Sequence, residues 1–320
     1  MFINKEIAFF EIGQEIEGYY LIRDLSFRTT TTNRPFLTVF LSDNSGTVEA
    51  KAWDYAGDLS RADIGKVLKI RGDVSEYKGT LQITLSRLRL AAETDEFDVS
   101  RLVPTAPLKP EDEFLALRNR VESIEDDDYR KIALCLLDRH KERFCEIPAA
   151  KSVHHGFLNG LLMHTGNMLR IADEVSRIYA DTVDRSLLLA GTVLHDFAKE
   201  KEFQFSPLGM VQDYSVNGQL LGHLVMGAEE VAETAKELGI PEEKSVLLRH
   251  LILSHHGEPE HGAAVRPVCA EAELLSYIDM IDSRMEIYRE AFEKLPVGEF
   301  SDRIFALDKK IYHHTDLSHK

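Results

Sequence analysis

The spacing of apolar residues changes period once along this chain of 320 residues, and that change divides it. Up to Ala92 many apolar positions alternate with polar ones, as in half-buried strands. Beyond three prolines, Pro104, Pro107 and Pro110, they recur every three or four residues, as in helices packed by one face. The expected layout is a barrel domain over 1–92, a linker over 93–110 where the prolines discourage regular structure, a helical domain over 111–312 and a polar tail over 313–320.

Five strands are expected in the first part, at Gly18–Phe27, Pro35–Ser42, Thr47–Trp53, Val67–Ser75 and Thr80–Leu90, all rich in β-branched and aromatic residues. Asp43-Asn44-Ser45-Gly46 and Tyr77-Lys78-Gly79 are hairpin signals between neighbouring strands. Five short strands with a polar interruption after Trp53 point to a small closed β-barrel of the OB type. In the second part, helices are expected at Ser123–Arg139, Leu161–Tyr179, Arg185–Phe197, Gln219–Leu238, Lys244–Leu253 and Glu271–Phe292.

Charge follows the same division. The first 92 residues hold 12 basic and 12 acidic side chains, so the remainder carries the whole net charge of -16. A neutral domain with a local basic stripe can hold a polyanion, whereas an acidic domain can collect cations. Three cysteines, Cys135, Cys145 and Cys269, have no C-x-x-C spacing and read as free thiols of a reducing compartment. No apolar run is long enough to span a bilayer, and the start carries Lys5 and Glu6 where a secretory signal would be apolar, so a cytoplasmic protein with no membrane partner is expected.

The helical part holds most of the 13 histidines. His164, the adjacent His195 and Asp196, His223, the adjacent His255 and His256, and Asp279 all sit among apolar neighbours. A lone histidine among leucines is usually a hydrogen-bonded core residue. A series on successive helices is different, because buried imidazoles and carboxylates need partners, and a shared divalent cation satisfies them together. His164, then His195-Asp196, then Asp279, resembles the pattern of the HD superfamily of metal-dependent phosphohydrolases. Gly160-Leu161-Leu162-x-His164-Thr165, Leu221-Gly222-His223 and Ser254-His255-His256-Gly257 resemble the YhaM-type 3′-to-5′ exoribonucleases of bacteria, which place an OB-type domain before the HD domain. Leu41-Ser42-Asp43 with Gly46, Ala52-Trp53-Asp54 and Lys78-Gly79-x-Leu81-Gln82 are similar to that family's barrel.

The resemblance implies an exonuclease on single-stranded RNA, and on DNA as a further substrate, that uses two divalent cations. Manganese stands first; iron, cobalt, nickel, zinc and magnesium also suit nitrogen and oxygen ligands. It implies that His164, His195, Asp196 and Asp279 hold one ion and that Asp196 bridges to a second, completed by His223 and by His255 or His256. The family carries an acidic residue where this chain has Met163, so a hydrogen bond orienting His164 is either absent or supplied from elsewhere.

Around these ligands, Asp196 is the expected catalytic carboxylate. Lys199, one turn on, reads equally as a phosphate-facing ammonium or as part of a solvated Lys199-Glu200-Lys201-Glu202 run. His154 and His155 precede the first ligand helix and could touch substrate or stabilise the leaving oxygen, although structural packing is the first reading for His155. Asp282 and Arg284, just past Asp279, could also approach the site, with helix surface the default placement. In the barrel, Arg28, Arg34, Phe36, Trp53, Tyr77, Lys78 and Arg87 are the candidates for holding a single strand by stacking and charge, although Phe36 and Trp53 fit a core role as well. Two rival readings remain: a phosphohydrolase of nucleotides or cyclic dinucleotides, and a non-enzymatic RNA-binding protein with a structural metal. A homo-oligomer is compatible with all three.

Overall fold

A computed structural model describes residues 4–30, 32–151 and 155–315. The chain forms two compact units, Met1–Thr105 with Phe205–Met210, and Ala106–Gln204 with Val211–Lys320.

The first unit is the expected OB-type barrel. Its strands are β1 (Glu15–Thr29), β2 (Pro35–Ser42), β3 (Thr47–Trp53), β4 (Val67–Tyr77) and β5 (Thr80–Leu90), closed in the order β1-β2-β3-β5-β4. Closure depends on β1, which is long enough to serve two neighbours. Glu15–Leu21 pairs with β4 and Leu21–Thr29 with β2, and a bulge between Ile22 and Asp24 bends the strand at the changeover. Inward residues from all five strands, among them Tyr20, Ile22, Leu37, Leu41, Leu68 and Ile83, form one core. Gly72 marks a close approach of β4 to β5, where a Cβ would lie 2.5 Å from the carbonyl oxygen of Thr84.

The stretch read as a linker is divided between two roles. Phe97 stacks on Tyr19 at 5.1 Å, Arg89 binds Asp95 through two nitrogens, and Leu102 and Val103 are buried. Pro110 opens helix α1 (Pro110–Glu122), which the sequence reading did not expect. Proline breaks helix interiors but suits the first position, where its missing N–H has no partner to lose.

The second unit continues with α2 (Asp127–Glu146), α3 (Gly160–Ile178), α4 (Arg185–Leu194), α5 (Lys199–Glu202), α6 (Val216–Leu220), α7 (Gly222–Leu238), α8 (Glu242–Ser254) and α9 (Ala270–Phe292), and between α5 and α6 the chain runs through the short strands β6 (Phe203–Phe205) and β7 (Val211–Tyr214). Asp126 and Asp184 cap α2 and α4 by accepting backbone N–H bonds. Helix α4 is apolar on all sides, buried from Ser186 to Leu194, and packs against α2, α3, α8 and α9. Its C-terminal end therefore opens into the middle of the unit. Among the described residues no helix is long and apolar enough to cross a membrane.

Candidate metal centre

Two helices end at this point in the same way. Helix α4 stops at Leu194 and α8 at Ser254, leaving carbonyls without intrahelical partners. His195 donates from Nδ1 to the Thr192 carbonyl at 2.7 Å, and His255 from Nδ1 to the Ile252 carbonyl at 2.8 Å. A carbonyl only accepts, so each neutral ring is left with a lone pair on Nε2. Because the helix has ended, Asp196 can turn to the same side as His195, which adjacent residues within a helix cannot do.

Two further histidines are anchored by carboxylates. His164 on α3 places Nδ1 2.7 Å from Oδ2 of Asp282, and His223 on α7 places Nδ1 3.0 Å from both oxygens of Glu202. These four rings direct Nε2 toward the Asp196 carboxylate. His195 and Asp196 Oδ2 are 3.2 Å apart, and His164 is 4.0 Å from the same oxygen; His223 and His255 lie 3.2 and 3.6 Å from Oδ1. Asp279 closes the first group, with Oδ1 3.3 Å from His164 Nε2.

The donor set fits divalent cations. Asp196 Oδ1, His223 Nε2, His255 Nε2 and His256 Nδ1 are buried without a hydrogen-bond partner among the described residues. His164 Nε2 and His195 Nε2 face each other at 3.3 Å. Lone pairs and carboxylate oxygens so close repel unless a positive charge lies among them. His164, His195 and Asp196 form one compact group of possible ligands and His223, His255 and His256 another, with Asp196 touching both. Without a metal, burial disfavours charge on His164, yet Asp279 and Asp282 outweigh it and lift its pKa to about 9. Burial, with His255 and His223 beside it, holds His256 down to about 3.

The structure brings His164, His195, Asp196, His223, His255, His256 and Asp279 together, and puts both adjacent histidines of the 255–256 pair at the centre. Two expectations need correction. His155 is fully buried, with Nε2 2.7 Å from Asp282 Oδ2, so it stands behind His164 and not at an open, substrate-facing position. Its carbonyl lies against Gly160, where a Cβ would come within 2.1 Å, which accounts for the glycine at the head of α3. Asp282, read as helix surface, is buried and accepts from both rings. It supplies the hydrogen bond to His164 that Met163 cannot. The available signal was its position three residues after Asp279, on the same helix face. Glu202 had no signal in sequence. His154 lies outside the described residues.

The Lys199–Glu202 run is no solvated face. Lys199 donates to Asp196 Oδ2 at 2.6 Å, Glu200 faces His140 Nδ1 at 2.6 Å, Lys201 pairs with Glu230, and Glu202 holds His223. Four consecutive side chains fix one turn beside the centre. His140 also reaches Glu230 at 2.7 Å through Nε2. Burial would lower the His140 pKa, but the carboxylates on both ring nitrogens outweigh it and raise it to about 9. Burial would raise that of Glu230, and bonds from His140 and Lys201 bring it instead to about 2. The signs fix a window: the histidine's contribution to stability is complete below about pH 6.5 and is lost as pH climbs through 9, while that of Glu230 is complete above about pH 4.5. In chelator, the gap in unfolding midpoint between the protein and His140→Gln should therefore shrink between pH 6.5 and 9. A gap that widens with pH would contradict this assignment.

On the barrel, the strand-binding candidates fall on separate stretches of surface. Tyr77 is half exposed, with the ammonium groups of Lys51 and Lys78 at 5.5 and 5.4 Å from its ring centre. Phe36 and Trp53 pair across β2 and β3 with ring centres 5.0 Å apart, and Trp53 is half exposed, not core. Arg28 lies opposite Phe36 on β1, Arg34 is 3.6 Å from Asp54, and Arg87 is exposed on β5. Thr31, between the two arginines of the β1–β2 loop, lies outside the described residues.

Compared with known families, residues 161–284 match the HD domain and residues 22–91 the OB-fold nucleic acid binding domain. HD-domain proteins are typically metal-dependent phosphohydrolases that bind divalent metals, and the OB match goes with nucleic-acid binding. Among solved structures, a crystal structure of a domain of replication protein A from Methanococcus maripaludis is 15% identical, with the alignment covering 28% of this chain and 94% of that one at a TM-score of 0.24. The second OB-fold domain of replication protein A from the same organism is 12% identical, covering 30% of this chain and 100% of that one at a TM-score of 0.22.

Proposed function

We propose that this chain is a metal-dependent 3′-to-5′ exonuclease that hydrolyses single-stranded RNA, and DNA as a further substrate, to nucleoside monophosphates. The observation that carries the reading is the Asp196 carboxylate, whose two oxygens face two separate groups of imidazole nitrogens. In this reading His164, His195, Asp196 and Asp279 hold one cation, and Asp196 with His223, His255 and His256 holds another. Cations held there supply positive charge that lowers the pKa of water and offsets the charge of a phosphodiester. Imidazole and carboxylate donors without thiolates suit manganese and the other first-row metals.

The remaining residues orient and balance. Backbone carbonyls hold His195 and His255 in the tautomer with Nε2 inward, and Asp282 and Glu202 do the same for His164 and His223. Lys199 keeps an ammonium 2.6 Å from Asp196, where it can also meet a phosphoryl oxygen. His155 acts through Asp282. The barrel would hold the strand by stacking on Tyr77 and Trp53 beside basic groups, a role that hydrolysis of a free nucleotide would not need. The polarity of digestion is taken from the resemblance to YhaM-type enzymes.

A digestion time course with end-labelled oligonucleotides tests the reading. A ladder shortening from the 3′ end is expected with manganese and none with chelator. Intact RNA beside hydrolysed nucleotides or cyclic dinucleotides would replace the polymer by a small substrate. Neither reaction, in a protein that retains metal, would leave a structural ion.

A further inference from the structure

A groove of about 630 Å³ lies on the outer surface of β4 and β5, bordered by the segment that follows β3. Ile70 and Leu85, which belong to the barrel core, close it from beneath, and its rim carries Trp53, Tyr55, Lys69, Arg71 and Arg87. A bulge shapes it. Arg71 pairs with Arg87 and Gly72 with Leu85, so Ser86 is an extra residue, and Ser86 and Arg87 are consecutively exposed.

The charges of this rim differ in availability. The exposed Arg87 guanidinium has no ion pair or hydrogen bond among the described residues. Arg71 pairs with Glu15 at 2.7 Å in the open, and Lys69, which is partly exposed, lies 3.6 Å from the exposed Glu17 with its ammonium 5.2 Å from the Tyr19 ring centre. Exposed pairs of this kind add little to stability, so a phosphate can displace the carboxylate. Arg89, bound through two nitrogens to the largely buried Asp95, is committed to the fold.

Trp53 gives the groove its continuity. The same indole packs at a tilt against Phe36 on β2 and borders the groove. The volume lies in the range of nucleotide-sized sites. Aromatic edges beside displaceable cations match a base and its sugar–phosphate backbone.

We propose that this groove is a backbone subsite for single-stranded nucleic acid, with Lys69, Arg71 and Arg87 taking phosphates from a strand that crosses Trp53. The proposal rests on the strand-binding role given above to the barrel and adds a second stretch of surface beside the Tyr77 hairpin and the Phe36–Trp53 pair.

The whole 320-residue chain, in chelator so that no strand is cut, is titrated with a uridine dodecamer. Trp53 is the chain's only tryptophan, so its fluorescence reports on the groove rim directly. Quenching on binding is expected. The triple variant Lys69→Gln/Arg71→Gln/Arg87→Gln, altered only at exposed or partly exposed side chains, should keep its far-UV circular dichroism. It should lose affinity about tenfold or more at low salt. The slope of log affinity against log salt should become shallower by roughly 2, near 0.7 for each phosphate contact removed. Equal affinity and slope in the folded variant and the unmodified protein would overturn the subsite while leaving strand binding intact. No binding by the unmodified protein at low salt would overturn both.

Discussion

Asp196→Asn should fold normally, retain little divalent metal and release no nucleotide above background from a labelled oligonucleotide. The amide preserves the volume of the carboxylate, so packing around the end of α4 is kept. What disappears is the charge that faces His195 on one side and His223 and His255 on the other. Loss of an outer hydrogen-bond partner alone typically costs 10–100-fold in metal affinity. A carboxylate placed between both ligand groups should therefore cost more than about 100-fold. Lys199 loses its ion-pair partner in the variant, so a moderate fall in unfolding temperature is expected beside the loss of metal. Metal content after dialysis, thermal unfolding and nucleotide release separate these effects. Asp196→Ala should behave alike with a larger stability loss. Undiminished turnover by a folded, metal-depleted variant would end the mechanism.

What could be read from sequence follows from how local each determinant is. Strands β2, β3 and β5 start and stop where the alternation and the turn residues place them, because those signals lie within the strand or beside it. The ligand candidates were legible because histidine and aspartate among leucines are conspicuous, and the structure does gather them. Helix α1 was missed because Pro110 was read as a breaker when it occupies the one helical position that favours it. Of the two equal readings of the Lys199–Glu202 run, the solvated one fails because the partners of Glu200, Lys201 and Glu202 come from α2 and α7, far away in sequence. His155 and Asp282 failed for the same reason: 127 residues separate them, and their hydrogen bond exists only in three dimensions. Residues of the two ligand groups announce their chemistry; residues that aim those ligands are ordinary until the fold brings them close.

Asp282 offers the sharpest test of that distinction. A single oxygen accepts from His155 and from His164, at 2.7 Å each, and the residue is buried. Burial alone would raise its pKa, but the two imidazoles outweigh it and hold the group ionised, far below the usual carboxylate range. Removing the acceptor in Asp282→Ala leaves both rings with unmatched N–H groups. Breaking a buried charged pair costs about 3–5 kcal/mol, and the free His164 ring can then adopt the other tautomer. In that tautomer Nε2 carries the proton and cannot bind a cation. Metal affinity in the folded fraction, measured by competition with a chromophoric chelator, should fall 10–100-fold. Asp282→Asn keeps an oxygen able to accept, so it should preserve the ring orientation and lose less affinity than the alanine variant. A purely architectural Asp282 predicts a different outcome: both variants would unfold at lower temperature, yet bind metal as tightly as the unmodified protein while folded. That result would separate His164 orientation from metal binding and reduce Asp282 to a packing residue of α9.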